Sequence, residues 1–434
     1  MQQVEKHIIS KGHESYEEID HIAFLSKNLY NRANYIIRQE FIKTSKECEE
    51  GKLPHAKWIR YNELQKMMQV NKEPDYTALP AKVSQHVLKT LDKNWKSFFV
   101  SIKDWKRHPA KYTGRPKLPR YKHKTEGRNI LIYTVQAIGK IALKQYILNL
   151  SGTKINLRIL HNKINQARIV PMSNDRYKIE VVYDKEIKDE KLNEKNISGT
   201  DIGVNNLAAV TSNLRVVPIL INGRPLKSIN QYFNKRKAEL VSDLMKLNPD
   251  RRTTKKIDNL THKRNCKIED YMHKASRFEI DYLKSIGAGT LVIGKNPFWK
   301  QDVNIGSKNN QNFVSIPHAR YIEMLKYKAE LIGMRVIVRE EAHTSKCSFL
   351  DEEKVGHHEK YAGRRVKRGL FKSANGTKIN ADCNGSGNIV RKEVPNAFEN
   401  GIEGVVVRPV TVTIPFSGKP DLGIITKANR KKFL

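Results

Sequence analysis

Asp201 and Asp382 are the two acidic residues whose surroundings invite chemistry. Asp201 ends the apolar run ISGT and precedes IGVNN, where Gly203 and Asn205-Asn206 suit a tight turn. Asp382 sits in INADCNGSGNI, just before an apolar helix. Taken singly, each has a plain role, as a turn residue or as a helix N-cap. Taken together, two carboxylates on strand ends and helix starts could hold divalent cations, which prefer oxygen donors. Two such cations about 4 Å apart activate a water and stabilise charge on both the attacking and leaving oxygens of a phosphodiester.

The elements around them must bring them together. From about residue 197 the sequence reads as strand, tight turn and strand (ISGTDIGVNNLAAVTS), then a helix (KSINQYFNKRKAELVSDLMKL) and a break at NPDRRTT. A long basic helix ends at Gly287, followed by the buried strand AGTLVIGKN, the amphipathic helix PHARYIEMLKYKAELIG and the strand MRVIVREE. The last helix starts at ADCNGSGNIVRK. This order predicts an α/β domain with a mixed sheet. Upstream, residues 1–12 read as a strand, and 15–47 and about 81–106 as helices; Trp95 and Trp105 fall on an apolar stripe and are read as core. Residues 129–186 switch to short strands. The expected class is therefore multidomain α/β. A small β-barrel (1–14 and 128–190) carries an inserted helical domain with a basic loop (15–127). The α/β domain follows at 195–400, with a basic hairpin insert at 345–380, and 401–434 is a tail without assigned chemistry.

Eighty Lys and Arg stand against 45 Asp and Glu, a net charge of +35. So large a surplus repels itself unless a polyanion neutralises it, and nucleic acid is the natural partner. The cations run through the whole chain, which suggests a broad footprint. Candidate phosphate contacts are Arg115, Lys117, Arg120, Lys122, Lys124 and Arg128 in the Pro- and Gly-rich loop. Lys263, Arg264, Lys274 and Arg277 are candidates on the long helix, as are Arg364, Arg365, Lys367 and Arg368 on the insert. No apolar run is long enough to span a bilayer and no secretory leader is evident, so a soluble cytoplasmic protein without membrane attachment is expected. The four cysteines, Cys48, Cys266, Cys347 and Cys383, form no C-x-x-C pair. With His357 and His358 they lack the paired spacing of a zinc site, and no zinc is expected.

Read together and in order, these segments resemble the TnpB family. GTDIGVNNLAAVTSN resembles its first RuvC motif, and INADCNGSGNI its third. AHTSKCS is similar to the Thr-Ser segment before the family's zinc ribbon, and DYMHKASRFEIDYL to its basic His-Lys-x-Ser helix. LPAKVSQHVLKTLDKNWKSFF and GRPKLPRY are similar to its N-terminal half. The resemblance implies an RNase H-like RuvC nuclease domain and an RNA-guided DNA endonuclease. It also implies a guide RNA from the transposon end, a double-stranded DNA target beside a short flanking motif, and Mg²⁺, with Mn²⁺ as a possible substitute. A monomer is favoured.

Two departures stand out. Where the family's second RuvC glutamate is expected there is Gly294, and no C-x-x-C ribbon is present. A replacement glutamate before the Thr-Ser segment would come from VREEAHTS, and side chains alternate on a strand, so only one of Glu340 and Glu341 should face the metals. The implied catalytic and metal-binding set is Asp201, Glu341 and Asp382, with Glu340 as the alternative. RNA-guided binding without cleavage, as a repressor, and a DNA transposase remain open readings.

Overall fold

Side chains alternate along strands, so each sheet sorts its residues onto two faces. The computed structural model describes residues 1–296, 315–399, 401–402, 408–418 and 423. The chain divides into two compact units, Met1–Lys185 and Glu186–Leu434.

In the first unit, β1 (Gln2–Ser10) pairs antiparallel with β6 (Arg176–Asp184), β6 with β5 (Gln166–Met172), and β5 with β2 (Leu131–Thr134). These four strands form an open sheet with β1 and β2 at its edges, and β3 (Ile147–Asn149) pairs separately with β4 (Asn156–Arg158). Between β1 and β2 the chain builds α1 (Tyr16–Glu49), α2 (Tyr61–Val70), α3 (Pro74–Thr77) and α4 (Ala81–Arg107); α5 (Lys140–Lys144) precedes β3. Trp95 of α4 is fully buried, stacks on Trp58 and donates its indole N–H to Asn34 of α1 at 3.0 Å. Trp105 is only half-buried.

The second unit is built on a six-stranded mixed sheet, in the order β11 (Arg335–Arg339), β10 (Ala288–Gly294), β7 (Asn193–Ile202), β8 (Asn206–Ser212), β9 (Ile219–Asn222) and β15 (Val410–Val412). Strands β7, β8 and β9 run antiparallel in sequence order, while β10 and β11 run parallel to β7. That is the RNase H-like arrangement. The tail contributes β15, parallel to β9, which covers an edge otherwise open to pairing; the preceding residues 403–407 lie outside the described residues. Helices α6 (Arg224–Leu247) and α7 (Lys255–Ser285) link β9 to β10. Helix α8 (His318–Glu330) precedes β11, and α9 (Ala381–Glu393) follows a small sheet of β12 (Arg364–Lys367), β13 (Leu370–Lys372) and β14 (Lys378–Asn380). No described helix is long and apolar enough to cross a membrane.

The two faces of the large sheet have separate cores. Ile202, Ala208, Val210, Leu291 and Ile293 pack with residues of α7 and α8, including Met272, Phe278, Tyr321 and Leu325. Ile197, Ala209 and Val292, on the alternate positions, pack with Phe349, Ile389 and Val390. Helix α9 lies very close to the second face. A Cβ at Gly199 would collide with the Ser386 carbonyl and the Val390 side chain, and one at Gly387 with the Phe349 ring. Glycine costs propensity inside the strand at Gly199 and inside the helix at Gly387, and close packing of α9 is what each permits here.

Candidate active site

Alternation places Asp201 on the α9 face, beside Gly199 and Ile197. Its neighbour Thr200 points the other way, to Glu279 of α7 at 2.7 Å. Asp201 Oδ2 would lie 2.5 Å from a Cβ at Gly385, so α9 has no side chain where the carboxylate sits. Asp382 belongs to the first turn of that helix but is not its cap. Asn380 caps it, accepting from the backbone N–H of Asp382 and Cys383 at 2.9 and 3.2 Å. This leaves the Asp382 carboxylate available to the site, where Asn206 of β8 donates to Oδ2 at 2.7 Å.

Glu341 follows the last residues of β11. Arg339, two positions earlier, pairs with Glu393 of α9 at 3.3 Å, so this register faces α9. Glu341 therefore turns toward Asp201, and Glu340 is exposed on the other side. Gly294 is where the displaced glutamate finds room: a Cβ there would stand 2.5 Å from Glu341 Oε2 and 2.5 Å from Ile389 Cδ1. Asn296 donates to Glu341 Oε1 at 3.2 Å, whereas Oε2 is buried with no hydrogen-bond partner among the described residues.

The electrostatics match this crowding. Burial, then the charges of Glu341 and Asp382, push the Asp201 carboxyl well above its ordinary range, and Arg365 partly offsets them. Burial pushes Glu341 up to about 7, against the pull of Lys392. Such groups prefer to be neutral unless a cation joins them. Hard carboxylate donors and an orphaned buried oxygen fit a divalent ion such as Mg²⁺. The cage is not closed as it stands: among the described residues, no three His, Cys, Asp or Glu side chains are grouped tightly enough to hold an ion. Asp382 is drawn toward Asn206 and toward Arg365, whose guanidinium lies 3.5 Å from Oδ1.

The start of the insert and the Thr344 before it are fastened to α9 by amides. Asn384 accepts from Phe349 N–H and donates to the Cys347 carbonyl, both at 2.9 Å; Asn388 donates to the carbonyls of Thr344 and Cys347. Cys347 and Cys383 are buried, and the Cys347 thiol donates to the Gly356 carbonyl at 3.4 Å.

The candidate phosphate contacts divide by partner. Arg115, Lys117, Arg120 and Lys124 are exposed, and Lys117 and Arg120 line an open groove of about 470 Å³ with Tyr30, Asn94 and Phe98. Arg364, Lys367 and Arg368 are exposed on the insert, and Lys263 on α7. Arg128 is spent within its own unit, clamped on both oxygens of Asp20 at 2.8 and 2.6 Å. Lys122 is half-buried, its ammonium 5.2 Å over the Tyr30 ring. Arg264 braces α7, donating to Asn230 at 2.8 Å and to the Ser315 carbonyl. Lys274 is held by Asp270 and the Phe416 carbonyl, and Arg277 by Asp281. Arg128 and Arg264 therefore already have protein partners, with which any phosphate would have to compete. Asn206 was read from sequence only as a turn residue, and Asn296, Lys392 and the glycines of α9 were not singled out; the glycines within CNGSGN were the available signal.

Comparison with known proteins adds two family models in chain order. Residues 177–298 match a family described as a probable transposase (OrfB of IS605), and residues 318–389 match the TNB domain of Cas12f1-like proteins. The TnpB-like protein ORF457 of Acidianus two-tailed virus is 24% identical over 445 residues, covering 91% of this chain and 85% of that protein. Among solved structures, the mini-RNA-guided endonuclease CRISPR-Cas_phi3 has a TM-score of 0.45 at 10% identity, covering 96% of this chain and 93% of the other. A Cas12f1–sgRNA–target DNA complex has a TM-score of 0.34 at 14% identity, covering 90% of this chain and 100% of the other.

Proposed function

We propose, from the premise that the chain belongs to the TnpB family, that it is an RNA-guided DNA endonuclease with one RuvC site. The observation that carries this reading is the burial of Asp201 beside Glu341 and Asp382, which raises its pKa on the one face of an RNase H-like sheet where α9 leaves space. Asp201, Glu341 and Asp382 would hold Mg²⁺, with Mn²⁺ able to substitute. Bound there, the cations supply an activated water and neutralise charge on the scissile phosphate. The chain's own groups do the positioning. Asn206 orients Asp382, and Asn296 orients Glu341. The exposed cations of the insert, Arg364, Lys367 and Arg368, offer phosphate contacts beside the site. The partners are a guide RNA from the transposon end and a double-stranded DNA target beside a short flanking motif, with the guide–target duplex read by shape and backbone.

One observation favours a second reading, RNA-guided DNA binding without cutting: Asp382 is already engaged by Asn206 and Arg365. Co-expression with the flanking transposon-end RNA, followed by plasmid DNA with a randomised flank beside the guide match, separates the two. Mg²⁺-dependent cleavage that disappears in Asp201→Ala supports the nuclease; stable binding with no cut at any Mg²⁺ or Mn²⁺ concentration supports the repressor.

A further inference from the structure

A second candidate site lies in the first unit. Helix α5 ends at Lys144, and Tyr146 follows two residues later with φ +61°. A left-handed residue just past a helix end is common, but the place belongs to Gly or Asn, because a side chain there meets its own carbonyl. The backbone holds Tyr146 in this conformation: its N–H donates to the Leu143 carbonyl at 3.0 Å, and its carbonyl accepts from Ile159 N–H at 2.9 Å. Packing does not explain a tyrosine at this position, since it is 45% exposed.

The residue borders an open cleft of about 530 Å³ lined by Gln145, Tyr146, Ile147, Asn156, Arg158 and Leu160, with Ile159 behind. Leu160 is 75% exposed, and both oxygens of Glu5 hold its N–H at 3.0 Å, which fixes the aliphatic rim. Arg158 is exposed on β4 and Lys144 on the last turn of α5. An accessible aromatic face, an aliphatic floor, a guanidinium and side-chain amides form the combination that takes a splayed-out base. The ring stacks on the base, the amides meet its polar edge, and the cation meets its phosphate. A purely apolar protein partner would leave Arg158 and the amides without a counterpart, and the net charge of +35 favours a polyanion.

We propose that this cleft holds an unpaired nucleobase of a single-stranded nucleic acid, stacked on Tyr146. The proposal rests on the reading of the chain as a nucleic-acid-guided protein, but its test does not use cleavage. The full chain, stripped of bound nucleic acid, is titrated with three fluorescent 30-nucleotide probes of randomised sequence: single-stranded RNA, single-stranded DNA and fully paired DNA. Tyr146→Leu keeps the strained backbone and loses the ring, Tyr146→Gly loses both ring and strain, and Tyr146→Trp keeps a stacking surface. Expected is a five- to fiftyfold rise in Kd for at least one single strand in Tyr146→Leu and Tyr146→Gly, in line with the loss of one base stack. Duplex binding stays unchanged, Tyr146→Trp stays near wild type, and the Tm of Tyr146→Gly equals or exceeds the wild-type value. The single strand that loses affinity identifies the source of the base. Unchanged Kd for both single strands, or an equal loss on the duplex, overturns the proposal. All titrations are run without divalent cation and read binding alone, so failure of the nuclease reading leaves their outcome unchanged and the two failures are told apart.

Discussion

Two glutamates, a fully buried one and a half-buried one, lie on opposite faces of the large sheet, and both have their pKa raised to about 7, yet they sit in opposite circumstances. Glu279 is fully buried on the α7 face, and both its oxygens are satisfied, by Thr200 at 2.7 Å and Tyr321 at 2.6 Å. Glu341 on the α9 face has one oxygen on Asn296 and the other buried without a partner among the described residues, and its charge helps raise the pKa of Asp201. Burial is the leading cause of both shifts, so a raised pKa alone does not mark an active site. The difference lies in the neighbours. A neutral Glu279 completes a hydrogen-bond network, whereas Glu341 stands among like charges with a donor missing, an arrangement that a divalent cation completes.

The two glutamates should differ most in cleavage. Glu341→Gln should lower it at least about a thousandfold, the scale of losing an electrostatic partner of the transition state. Glu279→Gln should leave it within a few-fold of wild type. Comparable losses in both variants would erase the distinction.

A smaller effect tests the steric setting of Glu341. Gly294→Ala pushes a methyl group into Glu341 Oε2 and Ile389. Overpacking of this kind costs about 1–3 kcal/mol, and cleavage should fall roughly ten- to a hundredfold with little change in nucleic-acid affinity. Full activity in Gly294→Ala would show that Glu341 works from another position.

The smallest effect is on stability. Glu279→Ala strands the buried hydroxyls of Thr200 and Tyr321, a cost of about 2–3 kcal/mol, read as a Tm drop of roughly 5–10 °C. Glu341→Ala removes a source of repulsion and should leave the metal-free Tm unchanged or higher. The pH dependence has a definite sign. Because both glutamates are raised in the folded state, the native protein binds more protons than the unfolded chain between the ordinary carboxylate range and about pH 7. Metal-free stability therefore falls as pH rises through that window, and Mg²⁺ should restore the share owed to Glu341 but not the share owed to Glu279.

Much of the large sheet was legible because its strands and helices alternate cleanly, and because GTDIGVNN and INADCNGSGNI carry their aspartates in recognisable settings. Parity along one strand required that only one of Glu340 and Glu341 face the aspartates, but could not say which. What stayed illegible depends on contacts between distant parts of the chain. Arg128 meets Asp20 across 108 residues, and Arg264 meets Asn230 across 34, so counting cations could not show which were already occupied. Asp382 looked like a helix cap, but Asn380 takes that role. Gly294 looked like a lost carboxylate, and only the packing shows that its missing side chain makes room for the glutamate that follows the neighbouring strand.

The most direct measurement is calorimetric titration of the full chain with Mn²⁺, at pH 6 and pH 8, in wild type, Asp201→Ala, Glu341→Gln and Glu340→Gln. A cation held by these carboxylates should bind at pH 8 and weaken about tenfold or more at pH 6, as each proton held by the site must be displaced. That binding should be lost in Asp201→Ala and Glu341→Gln and stay at the wild-type level in Glu340→Gln. Equal affinity in all four proteins, or loss only in Glu340→Gln, would contradict a metal centre built on Asp201 and Glu341.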